Sequence, residues 1–234
     1  MSDLTDSLKW ELKKNPFFQE LDEKTFNTLL QSTQPKVLKA RQTIFHEGDP
    51  GGSMLMILSG KIKISTIAAN GKECVLAFFG IGDVIGEITL LDGGVRTATA
   101  QAMEPSRILE LTRNQFMSIL ESNPQIALKV IDILCRRLRA TSRMVEDSTL
   151  LAAAPRLART LLRLSRSHGI ETDGGTLIDL PMSQSMLGAH AGLLRESVNR
   201  QLRAWEAKEI LKRDDNKITI LKIDILHELS ENTS

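Results

Sequence analysis

Two groups of charged side chains have types and spacings that could do chemistry. The first lies in GEITLLDGGVRTATA, residues 86–100, where Glu87 and Arg96 stand inside otherwise apolar, β-prone runs. An apolar run, an Asp-Gly-Gly turn and a second alternating run together predict a hairpin. Residue types leave two readings of the pair open. It is either a solvated cross-strand contact or an inward-facing carboxylate and guanidinium that hold a ligand. The second group is the polar stripe of LLRESVNRQLRAWEAKE. On a helical wheel Leu194, Val198, Leu202 and Trp205 fall on one side, and Arg195, Glu196, Asn199, Arg200 and Arg203 on the other. Reading base edges needs such groups: Arg donates a bidentate pair to guanine O6 and N7, and Glu accepts from cytosine N4. A solvated amphipathic helix stitched by Arg–Glu pairs would look similar.

Other chemistries find little support. Nothing resembles a nucleophile elbow, a P-loop or a zincin helix, so an enzyme is not expected. Cys74 and Cys135 form no CxxC motif, which fits a reduced, cytoplasmic protein and supplies too few ligands for an iron–sulfur cluster. His46, followed by Glu47, reads as a structural or surface histidine rather than a haem or metal ligand. His168, His190 and His227 lack metal-binding spacing. With 234 residues, 25% charged and 41% hydrophobic, the chain is globular and long enough for two modest domains. Its net charge of +1 gives no bulk reason to expect a nucleic acid or a membrane, and the N-terminus has no basic-then-apolar leader.

The elements that must position these residues follow from pattern. A helical stretch is expected over roughly 4–33. Residues 36–111 are β-rich, with VLKARQTIF, MLMILSGKIKI and CVLAFFG cut by glycine-containing turns. Closely spaced short strands of this kind predict a barrel or β-roll. A helix then runs from Pro124 to about Leu151, on the order of 40 Å long. One of its stripes holds Ala127, Val130, Leu134, Arg137, Thr141 and Met144; Ile131, Leu138 and Val145 form another at seven-residue spacing. The first would pack on the β-roll and the second on an identical helix across a two-fold axis, although a single broad core face is the alternative. AAAP at 152–155 marks a hinge. Helix, strand, two helices joined by a tight turn at Gly192, then strand–turn–strand (ILKRDDNKITILK) predict a winged helix-turn-helix, with Gly188 and Ala189 allowing close packing.

With GEITLLDGGVRTATA, CRRLRATSRMVED and SQSMLGAHAGLLRESVNRQL in this order, the chain resembles the cAMP receptor protein/FNR family of bacterial transcription regulators along nearly its whole length. The resemblance implies an α+β fold: a jelly-roll-like cyclic-nucleotide-binding β-roll (1–122), a central dimerisation helix (123–151) and a winged helix-turn-helix (152–234). It implies that Arg96 pairs with a cyclic phosphate, helped by Thr97, with Ala98 beside them. Glu87 would accept the ribose 2′-hydroxyl, Gly86 and Ile88 would bring backbone close to the sugar, and Ile64 and Leu76 would be apolar walls. Buried without ligand, Glu87 and Arg96 would be costly unless paired with each other or hydrated. Thr141 and Ser142 match a pair that contacts adenine, the Thr in its own subunit and the Ser across the dimer. Thr97 resembles a threonine that favours cGMP in related kinases, so the implied ligand is cAMP, with cGMP second. The chain is one residue shorter between Glu87 and Arg96 than the best-known member. Arg195, Glu196 and Arg200 match the R-E-x-x-x-R pattern that reads TGTGA-like half-sites in a palindrome, Asn199 departs from the usual small residue, and Gln184 and Ser185 would touch phosphate. The loop at 167–175 lies where relatives meet RNA polymerase. Expected partners are therefore double-stranded DNA, a second copy of the chain and RNA polymerase, with no membrane. The alternatives are a member gated by another effector or active without ligand, and a cyclic-nucleotide regulatory subunit that does not bind DNA.

Overall fold

The computed structural model describes residues 22–24, 26–27 and 35–231. The expected helix over 4–33 therefore lies almost wholly outside the described residues. The chain divides into two compact units, one of residues up to 70 and 76–138, the other of residues 71–75 and 139 onward.

In the first unit, two four-stranded antiparallel sheets form the β-roll. One has the order β1 (Pro35–Leu38), β8 (Ser106–Thr112), β3 (Ser53–Ser59), β6 (Val84–Ile85). The other has β2 (Thr43–Phe45), β7 (Thr99–Ala102), β4 (Ile62–Ile67), β5 (Glu73–Phe79). Strand β3 is buried on both faces, which explains its unbroken apolar run. Met54, Met56 and Leu58 join Phe116, Ile119, Ile126 and Val130 from following helices, whereas Leu55 and Ile57 join Ile62, Ala100 and Ala102 from the other sheet.

The segment expected to be a hairpin is instead a short helix, α1 (Glu87–Asp92). Gly86 before it and Gly93 after it both adopt left-handed backbone, at φ 78° and 75°. The Asp-Gly-Gly signal was a genuine chain reversal, but Gly93 uses it as a helix C-cap, its N–H donating to the Thr89 carbonyl at 3.0 Å. Val95 makes only an isolated bridge to Pro50, and regular strand resumes at Thr99. Helix α2 (Arg113–Ser122) follows, opened by a Thr112–Gln115 capping box. Helix α3 (Gln125–Leu150) begins just after Pro124. Its Ile126 and Val130 are buried, while Ile131, Leu138 and Val145 are 54%, 68% and 61% exposed.

In the second unit, Asp147 near the end of α3 is buried between Arg159, at 3.0 Å, and Arg163. Both arginines sit on α4 (Ala153–His168), which carries Pro155 in its first turn, where a missing N–H is tolerated. The segment 167–175, expected as a loop, is in part a strand, β9 (Gly169–Thr172), paired with β10 (Gly175–Ile178). Two helices, α5 (Gln184–Ala191) and α6 (Arg195–Ala207), precede the wing of β11 (Leu211–Asp214) and β12 (Lys217–Ile220), and the sheet order is β11-β12-β10-β9. A last helix, α7 (Ile223–Glu231), was not anticipated. No helix of the described residues is long and apolar enough to cross a membrane.

Candidate functional site

Arg96 is the centre of the first site. Its side chain is buried, 6% exposed, and reaches back over the start of α1. Nη1 donates to the Ser53 carbonyl at 2.8 Å, Thr89 Oγ1 at 2.9 Å and the Gly86 carbonyl at 3.1 Å. Nη2 donates to Ser53 Oγ at 3.2 Å, and the Phe45 ring centroid lies 4.3 Å from the guanidinium carbon. Burial pulls Arg96 below the ordinary arginine value, with Glu110, Asp49 and Glu87 opposing that shift. Nε is buried and has no hydrogen-bond partner among the described residues. A buried N–H without an acceptor is costly, and beside it Nη2 has used one of its two hydrogens. The Nε–Nη2 edge is therefore a two-pronged donor, a shape that matches two oxygens of a phosphate. Gly86 permits this arrangement, because a Cβ there would lie 2.4 Å from Arg96 Nη1.

Glu87, also buried, has Arg137 and not Arg96 as its ion-pair partner. Its Oε1 makes an ion pair with Arg137 Nη1, an ionic contact rather than a well-aligned hydrogen bond. Arg137 also donates to the Val84 carbonyl and lies over Phe79, 4.5 Å from the ring centroid. A carboxylate and a guanidinium anchored separately thus stand at the two ends of the 87–96 segment.

The second site is in the second unit. Ser183 caps α5, its side chain accepting from the Met186 N–H at 3.2 Å. The turn to α6 is tight: Gly192 has φ 65°, and the Leu193 N–H donates to the Gly188 carbonyl at 2.9 Å. A Cβ at Gly188 would come within 2.8 Å of the Leu193 carbonyl oxygen, so glycine sets that approach. Val198, Leu202 and Trp205 are buried, which aims the opposite side of α6 outward. Arg195, Glu196, Arg200 and Arg203 are exposed and Asn199 is half-buried. A cleft of about 520 Å³ runs between these helices and the wing, with Gln184, Ser185, Arg195, Arg213 and Asn216 on its walls. Arg213 of β11 donates through Nε to Glu206 Oε2 at 3.1 Å, tying wing to α6.

Residues 35–123 match the cyclic nucleotide-binding domain family, and residues 155–229 match the Crp-like helix-turn-helix domain family. The chain belongs to the cAMP receptor protein/FNR family of transcription regulators. It is 29% identical over 215 residues to the CRP-like cAMP-activated global transcriptional regulator of Mycobacterium tuberculosis, covering 88% of this chain and 96% of that one. It is also 29% identical over 219 residues to the cyclic AMP receptor protein of Thermus thermophilus, covering 94% and 98%. Among solved structures, the c-di-GMP responsive regulator CLP of Xanthomonas campestris superposes with a TM-score of 0.73 at 24% identity, covering 85% of this chain and 99% of that one.

Against this family's pattern, Gly86, Glu87 and Arg96 converge in the first unit. Ala98 is buried, Ile64 is half-buried against the Ile62–Ala100 core, and Thr97 is exposed. Leu76 and Ile88 are 38% and 40% exposed. Thr141 and Ser142 are exposed positions of α3 and belong to the second unit. Leu194, placed on the apolar side of α6, is 61% exposed as the residue preceding the helix. Sequence reading missed Ser53, Thr89 and the role of Arg137. Only Arg137 left a signal, a cation at the stripe position where Val130 and Leu134 are apolar.

Proposed function

We propose that this protein is a homodimeric, cyclic-nucleotide-gated transcription regulator that takes cAMP, with cGMP as a competing ligand, and binds TGTGA-like inverted repeats. The observation that carries the reading is the buried, unpartnered Nε of Arg96 beside a half-used Nη2. In this reading a cyclic phosphate supplies the acceptors that this edge lacks. Glu87 takes the ribose hydroxyl, Ile64, Leu76, Ile88 and Ala98 frame the sugar and base, and Thr97, Thr141 and Ser142 choose the base. The organisation is that of a nucleotide-binding roll (1–122), a dimerisation helix (123–151) and a DNA-binding domain (152–234). Arg195, Glu196, Asn199 and Arg200 read bases, Gln184 and Ser185 contact phosphates, and the segment 167–175 meets RNA polymerase. Relatives named as a cAMP-activated transcriptional regulator and as a cyclic AMP receptor protein support the ligand class. A ligand shifts DNA affinity only by binding one conformation better than another.

The test titrates cAMP and cGMP separately against a palindromic TGTGA duplex. Arg96→Leu should fold and dimerise yet bind neither nucleotide by calorimetry. Unchanged nucleotide affinity would remove the clamp assignment. Nucleotide binding without any effect on DNA affinity would leave a cyclic-nucleotide binder that is not gated.

A further inference from the structure

We propose that Ser53 and Glu110 are positioning residues that aim the donor edge of Arg96, through a hydrogen-bonded row running from Lys36 to Nη2. The proposal rests on the reading of Arg96 as a phosphate clamp.

The row is set by strand register. In the sheet order β1-β8-β3, Lys36 lies opposite Ile108, Leu55 opposite Glu110 and Ser53 opposite Thr112. Lys36, Glu110 and Ser53 are therefore diagonal neighbours on one face, within reach of one another's side chains. Lys36 Nζ donates to Glu110 Oε2, Ser53 Oγ donates to Glu110 Oε1 at 2.7 Å, and Arg96 Nη2 donates to Ser53 Oγ at 3.2 Å. A serine hydroxyl has one hydrogen, and here Glu110 takes it. The lone pairs of Oγ are then obliged to face Arg96. Without an acceptor at Glu110 the hydroxyl can turn its hydrogen toward the guanidinium, and Nη2 loses its anchor. Burial would raise the Glu110 carboxyl, yet hydrogen bonds from Lys36 and Ser53 and the charges of Lys36 and Arg96 hold it below the usual carboxylate range. The acceptor is thus ionised near neutral pH. Nη1 is fixed independently by two carbonyls and Thr89, so the row governs rotation of the Nε–Nη2 edge and not the location of the charge.

Aim, unlike charge, discriminates between the two exocyclic oxygens of a cyclic phosphate. The experiment measures calorimetric affinity of the full chain for cAMP and for its Sp and Rp phosphorothioate diastereomers. Ser53→Ala should weaken cAMP by about tenfold, the order expected for one hydrogen bond to a charged group, and should narrow the Sp/Rp preference. Glu110→Gln, whose amide oxygen is drawn to the Lys36 ammonium so that its N–H donor faces Ser53 Oγ in place of an acceptor, should move both quantities the same way, and Ser53→Thr should restore both. Equal weakening of both diastereomers would indicate a merely structural role, and unchanged affinity and preference in Ser53→Ala and Glu110→Gln would also overturn the proposal. If Ser53→Ala does not fold, the Glu110→Gln and Ser53→Thr pair decides alone. Absence of any nucleotide binding by the unsubstituted protein would overturn the clamp reading and the row together. Binding that depends on Arg96 but ignores Ser53 and Glu110 would overturn only the row.

Discussion

A buried ion and its partner are a single unit energetically, and Glu87 and Arg137 make the point. Glu87 is 4% exposed, so removing Arg137 strands a carboxylate in the roll interior. Breaking a buried pair costs about 3–5 kcal/mol, and the quarter exposure of the Arg137 side chain brings the expectation to roughly 2–3 kcal/mol. Arg137→Ala should therefore lower unfolding free energy by that amount in urea, and adding Glu87→Gln should recover most of it. A double variant no more stable than Arg137→Ala would show that Arg137 acts through its packing on Phe79 instead. At this scale sequence and structure diverge instructively. Glu87 and Arg96 were visible as polar residues in apolar runs. Ser53 and Thr89 were not, because a small hydroxyl in a strand or helix carries no patterning signal, and their roles arise only from strand register and the turn at Gly86.

At the scale of elements, periodicity was a good guide wherever a face was buried and a poor one where glycine reversed the chain. The strands of the roll, α3, α5, α6 and the wing all followed from period and punctuation. The segment 87–92 did not, because six residues are too few to separate a helical from an alternating pattern, and left-handed Gly86 and Gly93 decide the matter. The wing offers a prediction of its own. Arg213 hydrogen bonds to Glu206 and thereby holds that carboxyl below the usual glutamate range, most strongly through the side-chain contact. A carboxylate with a lowered folded-state value contributes stability that is fully present above its unfolded value and is lost as pH falls through the folded one. The Glu206 carboxyl resonance should titrate below an ordinary glutamate, and Arg213→Ala should return it to the ordinary range. Titration at the ordinary value in both proteins would mean that wing and α6 are not coupled through this pair.

At the scale of the whole molecule, the second stripe of α3 is an apolar face left open to solvent. Ile131, Leu138 and Val145 are more than half exposed and recur every seven residues, the spacing of a seam between parallel helices. Large apolar side chains lined up along one helix face are unfavourable in water, and in the proposed function a second copy covers them. Two recognition helices on one dimer then engage a palindrome as one bivalent ligand, so each half-site raises the effective concentration of the other. Leu138→Glu should give a monomer by light scattering. That monomer should bind an isolated TGTGA half-site as the unsubstituted protein does, but lose about 10²–10⁴ in affinity for the full inverted repeat. Nucleotide coupling should fall with it if adenine is contacted across the dimer by Ser142. By linkage, the factor by which cAMP strengthens DNA binding must equal the factor by which DNA strengthens cAMP binding. Measuring that factor from both directions, in dimer and in monomer, separates coupling within one chain from coupling through the seam. A Leu138→Glu protein that remains dimeric, or a monomer that keeps full-site affinity, would assign the stripe to some other contact.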